Sequence, residues 1–317
     1  VSPYHLVGGA DVVWQLGTGY YGARGADGKY SLDVVAETLE ANPQIRMVEV
    51  KLSQGAKPGK GGILPGSKVS AEIARIRGIE QVKDSMSPNR HKAVRSYADL
   101  LDMIGHVREV TGKPVGIKTA VGSDADIEEF FAVIVERGAQ SAPDFITLDG
   151  GEGGTGAAPM PLIDLVGMSI REVLPLVANL RAKYGLNDRI RLIASGKLVN
   201  PGDVAWALAA GADFITSARG FMFALGCIQA LKCNRNTCPT GITTHDLRFQ
   251  KGLNVEHKFN RVAHYATEII HEVETIAHSV GVAEPRQMQR KHVRLVQADG
   301  RSVPMNEIWA RDFGSGA

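Results

Sequence analysis

Six short apolar runs, each closed by a glycine or a polar residue, recur along the chain: Asp11–Leu16, Arg46–Lys51, Val115–Thr119, Asp144–Asp149, Ile190–Ser195 and Asp213–Ala218. Runs such as Phe145-Ile146-Thr147-Leu148 are continuous rather than alternating, which predicts strands buried on both faces of a parallel sheet. Between them the spacing turns helical, as in Ile127–Arg137 and Asp203–Ala210. The second of these opens on Asn200-Pro201-Gly202-Asp203, a cap followed by a helix start. Strand–helix alternation predicts an α/β fold. Ile190–Ser195 runs into Gly196-Lys197, and Asp213–Ala218 runs into Arg219-Gly220. Small residues plus a cation after two consecutive strands match the phosphate site after strands 7 and 8 of a (β/α)8 TIM barrel. Counting back makes Asp11–Leu16 strand 3. The expected barrel therefore lacks its first one or two βα units in this chain.

The stretch Ser53–Lys113 is too long for an ordinary βα connection. It starts rich in glycine and lysine and turns helical from about Ser70 to Arg77. Insertions at the C-terminal face of barrel strands build active sites, so this one is read as an active-site insertion. Near the end, Asn260–Val280 is amphipathic, with Val262, Tyr265, Ile269, Val273, Ile276 and Val280 on one face. The chain divides into a barrel over 1–259 and a C-terminal helix and tail over 260–317.

The 317 residues, 34.0 kDa and 44% hydrophobic content allow one large barrel. A net charge of +2, spread along the chain, leaves no footprint for nucleic acid or an anionic membrane. No apolar run approaches the roughly 20 residues that span a bilayer. The opening Val-Ser-Pro-Tyr-His does not read as a signal peptide, and without an initiator methionine it points to a longer protein. Sparse cysteine fits a cytoplasmic location.

All 3 cysteines fall in one segment, Cys227, Cys233 and Cys238, with Pro239 after the last. An odd, clustered set is poor disulfide material and suits an iron–sulfur cluster. Structural zinc, with His245 as fourth ligand, is the alternative. Gly151-Glu152-Gly153-Gly154-Thr155-Gly156 matches G-x-G-x-x-G, but Pro159 and Pro161 follow where a dinucleotide fingerprint would open a helix. The glycines instead suit a backbone lying close to a flat ligand. Lys118 ends an otherwise apolar strand, where a cation can face a flavin. Among the basic residues of the insertion, Lys60 and Lys68 read as a solvated face. Lys57 and Arg77 are better placed to bind anions. His264, His271 and His278 recur every 7 residues, about 10 Å apart along a helix, and read as surface histidines.

Gln54-Gly55-Ala56-Lys57-Pro58-Gly59, Gly153-Gly154-Thr155-Gly156-Ala157 and the cysteine run ending Asn236-Thr237-Cys238-Pro239 together resemble the FMN-binding synthase domain of glutamate synthase. The chain is more similar still to stand-alone FMN-binding glutamate synthase family proteins. The resemblance covers nearly the whole chain. It implies that Cys227, Cys233 and Cys238 bind a [3Fe-4S] cluster. It puts FMN on Gly196, Lys197, Arg219 and Gly220, with Ser195, Gly153, Gly154 and Lys118 beside it. Lys57 and Arg77, with Lys51, would hold 2-oxoglutarate, and Lys57 and Lys118 would be the catalytic cations. The implied reaction reduces 2-iminoglutarate, formed from 2-oxoglutarate and ammonia, to L-glutamate. Electrons would come from ferredoxin or an NAD(P)H-dependent subunit, and ammonia from a separate glutaminase.

The chain departs from the family at Ile63, where a glutamine is usual, and it lacks the glutaminase domain. Ile63 leaves open another 2-oxo acid or an N-substituted amino acid as substrate. A non-catalytic electron-transfer subunit and a zinc-stabilised binding barrel are the remaining alternatives.

Overall fold

The computed structural model describes residues 1–309 except 155 and 157. Thr155 and Ala157 of the glycine motif, and residues 310–317 of the tail, lie outside the described residues. Along the chain, β1 (Val12–Leu16) is followed by α1 (Leu32–Glu40) and β2 (Ile45–Lys51). The insertion then carries β3 (Ile63–Leu64), α2 (Ala71–Arg77), β4 (Ser85–Met86) and α3 (Tyr97–Thr111). Alternation resumes with β5 (Val115–Thr119), α4 (Asp124–Arg137), β6 (Phe145–Asp149), α5 (Met160–Leu165) and α6 (Ile170–Lys183). It continues through β7 (Arg191–Ser195), α7 (Pro201–Ala210), β8 (Phe214–Thr216) and α8 (Ala218–Leu225). After the cysteines come α9 (Leu247–Gln250), α10 (Val255–Ser279), β9 (Arg294–Val296), β10 (Ser302–Pro304) and α11 (Met305–Ile308).

The main sheet has 6 strands in the order β1-β2-β5-β6-β7-β8, each parallel to its neighbours. Sequential parallel order is the winding of a (β/α)8 barrel, and the 6 strands form a curled half-barrel two units short of closure. Its outer face is the main core. Leu16, Val48, Val50, Ile117, Ile146, Leu148 and Leu192 are buried there with Val35, Ile104, Phe130, Phe131 and Leu174 of the covering helices. Each such side chain contributes about 1.5–3 kcal/mol.

Local signals set the helix ends. Ser96, Ser123 and Asn200 accept backbone N–H groups from the first turns of α3, α4 and α7, each worth about 1 kcal/mol. The α3 helix stops at Gly112, whose φ of 61° is left-handed.

Paired residues of adjacent strands share a face, so the registers identify the inner one. Gln15 pairs with Glu49, Lys51 with Lys118, Lys118 with Thr147, Asp149 with Ser195, and Ser195 with Thr216. This face is polar toward the C-terminal ends of the strands and filled by Phe145 lower down. Gly116 makes that filling possible, because a Cβ there would collide with the Phe145 ring. At the two open edges the inner face meets solvent: Val13 of β1 is 45% exposed and Phe214 of β8 47%.

The α10 helix packs across α7 and α8, with the predicted apolar face inward and His264, His271 and His278 exposed. Its Tyr265 hydroxyl donates to Val199 O at 2.7 Å and occupies the space a side chain at Gly220 would need. Among the described residues no helix is long and apolar enough to cross a membrane.

Gly116→Ala should lower the unfolding free energy by about 1–3 kcal/mol through overpacking. Phe145→Leu in the same chain should recover part of that loss, as read from paired urea unfolding curves.

Candidate active site

The C-terminal ends of β2, β5, β6 and β7 bring Lys51, Lys118, Asp149 and Ser195 to one mouth. Asp149, at the end of β6, is buried at 7% exposure and is the hub of that mouth. It accepts the Gly55 N–H of the insertion at 2.8 Å and the Ser195 hydroxyl at 2.7 Å, and its Oδ2 lies 3.7 Å from Lys118 Nζ. These bonds draw three segments together. Gly55 comes so close that a Cβ would run into Gly150 O.

Lys51 lies beside Lys118 across the β2–β5 register and donates to Gln54 Oε1 at 3.2 Å. Burial pushes its ammonium below the usual lysine range, and Lys118 adds to that while Asp149 opposes it. Lys51, Lys57 and Lys60 line a pocket of about 140 Å³ whose other walls are the 17–21 loop and Ser87-Pro88-Asn89. Burial, then Lys60, also lowers Lys57. Ammonium groups short of solvent gain when a carboxylate arrives, so this pocket suits a small acid.

Arg77 is not among the residues lining this pocket. Its guanidinium stacks 5.3 Å from the centre of the Tyr21 ring, with Arg24 at 4.9 Å from the same ring. Tyr21 lines the pocket, so Arg77 contacts one of its lining residues. Ile63 is 51% exposed on β3, paired with Met86, and puts no hydrogen-bonding group at that position.

His91, 2% exposed, supports the floor. Its Nε2 donates to Lys51 O at 2.8 Å, so its Nδ1 accepts from the Tyr20 hydroxyl at 2.9 Å. Burial lowers its pKa against the opposing pull of the Lys51 carbonyl, which keeps the ring neutral. Below the mouth, Glu49, 7% exposed, accepts from Gln15 and Thr147.

At the other end of the mouth, Gly196 turns with φ 134° and Lys197 follows with φ 49°. Arg219 and Gly220 lie in the first turn of α8, not in a loop after the strand. Arg219 Nη2 reaches Glu152 O at 3.4 Å and would be 2.5 Å from a Cβ at Gly154. Two cations, a tight glycine turn and a helix N-terminus make a cradle for a phosphate. Gly153 meanwhile allows close approach to Gly150 and Gly196.

A cavity of about 470 Å³ is lined by Glu152, Gly154, Lys197 and Arg219 together with Cys227, Cys233 and Cys238. Gly156 abuts the cysteines, since a Cβ there would sit 2.7 Å from Cys233 Sγ. Among the described residues, no three His, Cys, Asp or Glu side chains converge to hold a single metal ion. That holds for the three thiols alone as well as for the thiols with His245. Thiols spread around one cavity suit a polynuclear core, in which each binds a different metal atom. One buried oxygen of this segment, Asn234 Oδ1, has no hydrogen-bond partner.

Burial opposes ionisation of Cys238, but the hydroxyls of Thr240 and Thr243 and their backbone N–H groups outweigh it and bring the thiol down to about 6. Thr240 Oγ1 is within hydrogen-bond distance, at 3.4 Å. Lys68 is not part of a solvated face: its ammonium donates to Cys233 O and Thr243 O, each at 2.9 Å.

Asp149, Glu49, His91 and Lys68 were not singled out from the sequence as site residues. Asp149 carries the same signal as Lys118, a charge closing an apolar strand. Glu49 and Lys51 alternate with Val48 and Val50, which marks a polar inner face. Nothing local marks His91 or Lys68.

The fold is similar to that of a flavocytochrome b2 variant with pyruvate bound, with a TM-score of 0.51, covering 91% of this chain and 57% of that one at 17% identity. At that identity the likeness concerns the fold. The sequence goes further. Residues 1–283 match the family described as the conserved region in glutamate synthase, and the chain belongs to that family. It is 42% identical over 308 residues to the glutamate synthase large subunit-like protein YerD of Bacillus subtilis, covering 97% of this chain and 58% of the relative. It is 35% identical over 262 residues to the archaeal glutamate synthase [NADPH] of Methanocaldococcus jannaschii, covering 82% and 49%. The chain thus spans about half the length of the curated relatives it matches.

Two outcomes follow from this geometry. Asp149→Asn should cost about 1.5–3 kcal/mol in urea unfolding at neutral pH, because a charged acceptor for Gly55, Ser195 and Lys118 is lost. In the metal-free chain, alkylation of Cys238, followed by peptide mass spectrometry, should rise with pH through an inflection near 6. A lowered thiol pKa means that thiolate persists above that value and is lost below it. Thr240→Val should move the inflection upward.

Proposed function

We propose that the chain is the synthase part of a flavin- and iron–sulfur-dependent oxidoreductase, converting 2-iminoglutarate, formed from 2-oxoglutarate and ammonia, to L-glutamate. When bound, FMN supplies hydride to a C=N bond, and a [3Fe-4S] group on Cys227, Cys233 and Cys238 supplies electrons one at a time. The observation that supports this reading is the shared cavity, lined both by the three cysteines and by Lys197 and Arg219.

Lys197, Arg219 and the first turn of α8 hold the phosphate, with Gly153 and Gly154 letting the backbone approach a flat ring. Lys118, kept in place by Asp149, faces the flavin and stabilises negative charge on it. Lys51 and Lys57 bind substrate carboxylate in the adjoining pocket, and Arg77 supports them through Tyr21. The narrow pocket and the Lys51–Gln54 contact orient the acid against the Lys118 side of the mouth.

Ile63 favours a second reading. Its exposed, apolar side chain removes a substrate hydrogen bond that the resemblance implies, so a different 2-oxo acid or an N-substituted amino acid is the alternative substrate. A cytoplasmic location, an electron donor (ferredoxin or an NAD(P)H-dependent subunit) and a separate glutaminase complete the proposal. The NADPH in the names of archaeal-type relatives supports a pyridine-nucleotide-linked donor.

Anaerobically purified protein should show flavin absorption and an oxidised three-iron EPR signal, with iron and sulfide in matching amounts. Cys233→Ser should abolish the EPR signal; unchanged iron and spectrum would remove the ligand assignment. Lys57→Met should lower kcat/KM for 2-oxoglutarate with ammonia by about tenfold to a hundredfold, the worth of one charge-assisted contact. Faster turnover of another 2-oxo acid would select the second reading. A flavin indifferent to every 2-oxo acid would leave an electron-transfer subunit.

A further inference from the structure

We propose that Lys68 is a positioning residue that fastens the active-site insertion to the cysteine segment and holds a positive charge beside the thiols. This rests on the reading of Cys227, Cys233 and Cys238 as ligands of an iron–sulfur group.

Lys68 Nζ donates to two main-chain carbonyls, Cys233 O and Thr243 O, both at 2.9 Å and 165 and 175 residues away in sequence. One acceptor belongs to a proposed ligand itself. The other belongs to a residue lining the same cavity. The lysine is delivered from a built support. Two residues earlier, Gly66 is buried, donates its N–H to Asp84 Oδ1 at 2.6 Å and packs so closely on Val82 that a Cβ would lie 2.5 Å from Val82 O. Next to it, Val69 is 2% exposed, and its carbonyl accepts Val82 N–H at 3.2 Å. The insertion thus reaches from Lys57 in the acid pocket to Lys68 at the cysteines.

What it holds requires holding. Gln229, Leu231 and Asn236 all have positive φ, at 53°, 53° and 59°. Non-glycine backbone of this kind persists only where its surroundings fix it. Asn236 is fixed from within the segment, accepting from Thr244 at 2.6 Å and from His245 N–H at 2.7 Å. The stretch around Cys233 is fixed from outside, by Lys68. The charge acts as well as the bonds. An iron–sulfur group on three thiolates is anionic and gains one more negative charge on reduction, so a cation fixed nearby in a partly dry site favours the reduced form.

The test compares Lys68→Met and Lys68→Arg with the parent full-length chain, using two readouts. In chelator-stripped protein, Cys233 should react with a disulfide reagent about tenfold faster in Lys68→Met, as expected for losing a clamp of one or two hydrogen bonds, and near the parent rate in Lys68→Arg. In iron-loaded protein, an EPR-monitored redox titration should give a more negative potential for Lys68→Met and a value closer to the parent for Lys68→Arg. If both readouts are unchanged in Lys68→Met while the parent carries iron and sulfide, the clamp is wrong and the cluster reading stands. If the parent carries neither, the cluster reading falls and the thiol rates alone decide the clamp. Should Lys68→Met fail to fold, Lys68→Gln keeps a hydrogen-bond donor and removes the charge. It should shift the potential with little change in rate, and an unshifted potential would overturn the electrostatic role.

Discussion

A carboxylate buried at the mouth of a barrel must be matched by donors, and at Asp149 these come from three parts of the chain. Lys118 precedes it on one neighbouring strand, Ser195 follows on the other, and the Gly55 N–H arrives from the insertion. Leaving such a group unmatched would cost several kcal/mol, so meeting its needs dictates where the insertion crosses the sheet. The close approach explains the glycines. Gly55 and Gly150 lie too near each other for a side chain at Gly55, and Gly151 stands likewise against Gly167. Once the insertion is anchored there, Lys51 and Lys57 face one pocket and the glycine turn opens toward the cysteines.

The two chemistries proposed for this chain depend on that arrangement. A small acid needs a pocket whose lysines are poorly solvated, and burial of Lys51 and Lys57 supplies it. An electron relay would need its thiols close to the flavin, and the proposed cradle residues Lys197 and Arg219 line one cavity with the cysteines. The insertion touches both, through Lys57 at one end and Lys68 at the other. Among the described residues, five of the six non-glycine residues with positive φ, Tyr20, Lys197, Gln229, Leu231 and Asn236, lie in the segments that form these walls, and the sixth, Val82, lies in the insertion. Backbone strain is thus gathered at the mouth, where hydrogen bonds can hold it, and kept out of the helices and strands beneath.

The open edges of the sheet belong to the same picture. Inner-face residues of β1 and β8 meet solvent at Val13 and Phe214, whereas Glu49, Phe145, Thr147 and Asp149 of the central strands are buried. The hub, Asp149, is built from the central strands, whereas the Lys57 pocket takes one wall from the 17–21 loop after β1. The phosphate cradle, by contrast, sits beside the β8 edge.

Much of this was legible in the sequence because burial leaves a local record. Continuous apolar runs marked the strands to within a residue or two, and their alternation with helical spacing named the barrel. The cysteine triad, the cations after the last two strands and Lys118 stood out because charge or sulfur in such places has few structural uses. The partners of those residues left no local record. Nothing near Gly55 announces a carboxylate 94 residues away, and nothing near Arg77 shows that it stacks on Tyr21 outside the Lys57 pocket. Lys68 reads as a solvated lysine until the cysteine segment folds against it. Gly220 reads as part of a phosphate turn, yet its missing side chain also admits Tyr265. Periodicity reports which face of an element is buried, because that depends on the element's own residues. Which group neutralises a charge, and which backbone must pass without a side chain, depends on segments far apart in sequence meeting in space, and only the tertiary structure decides that.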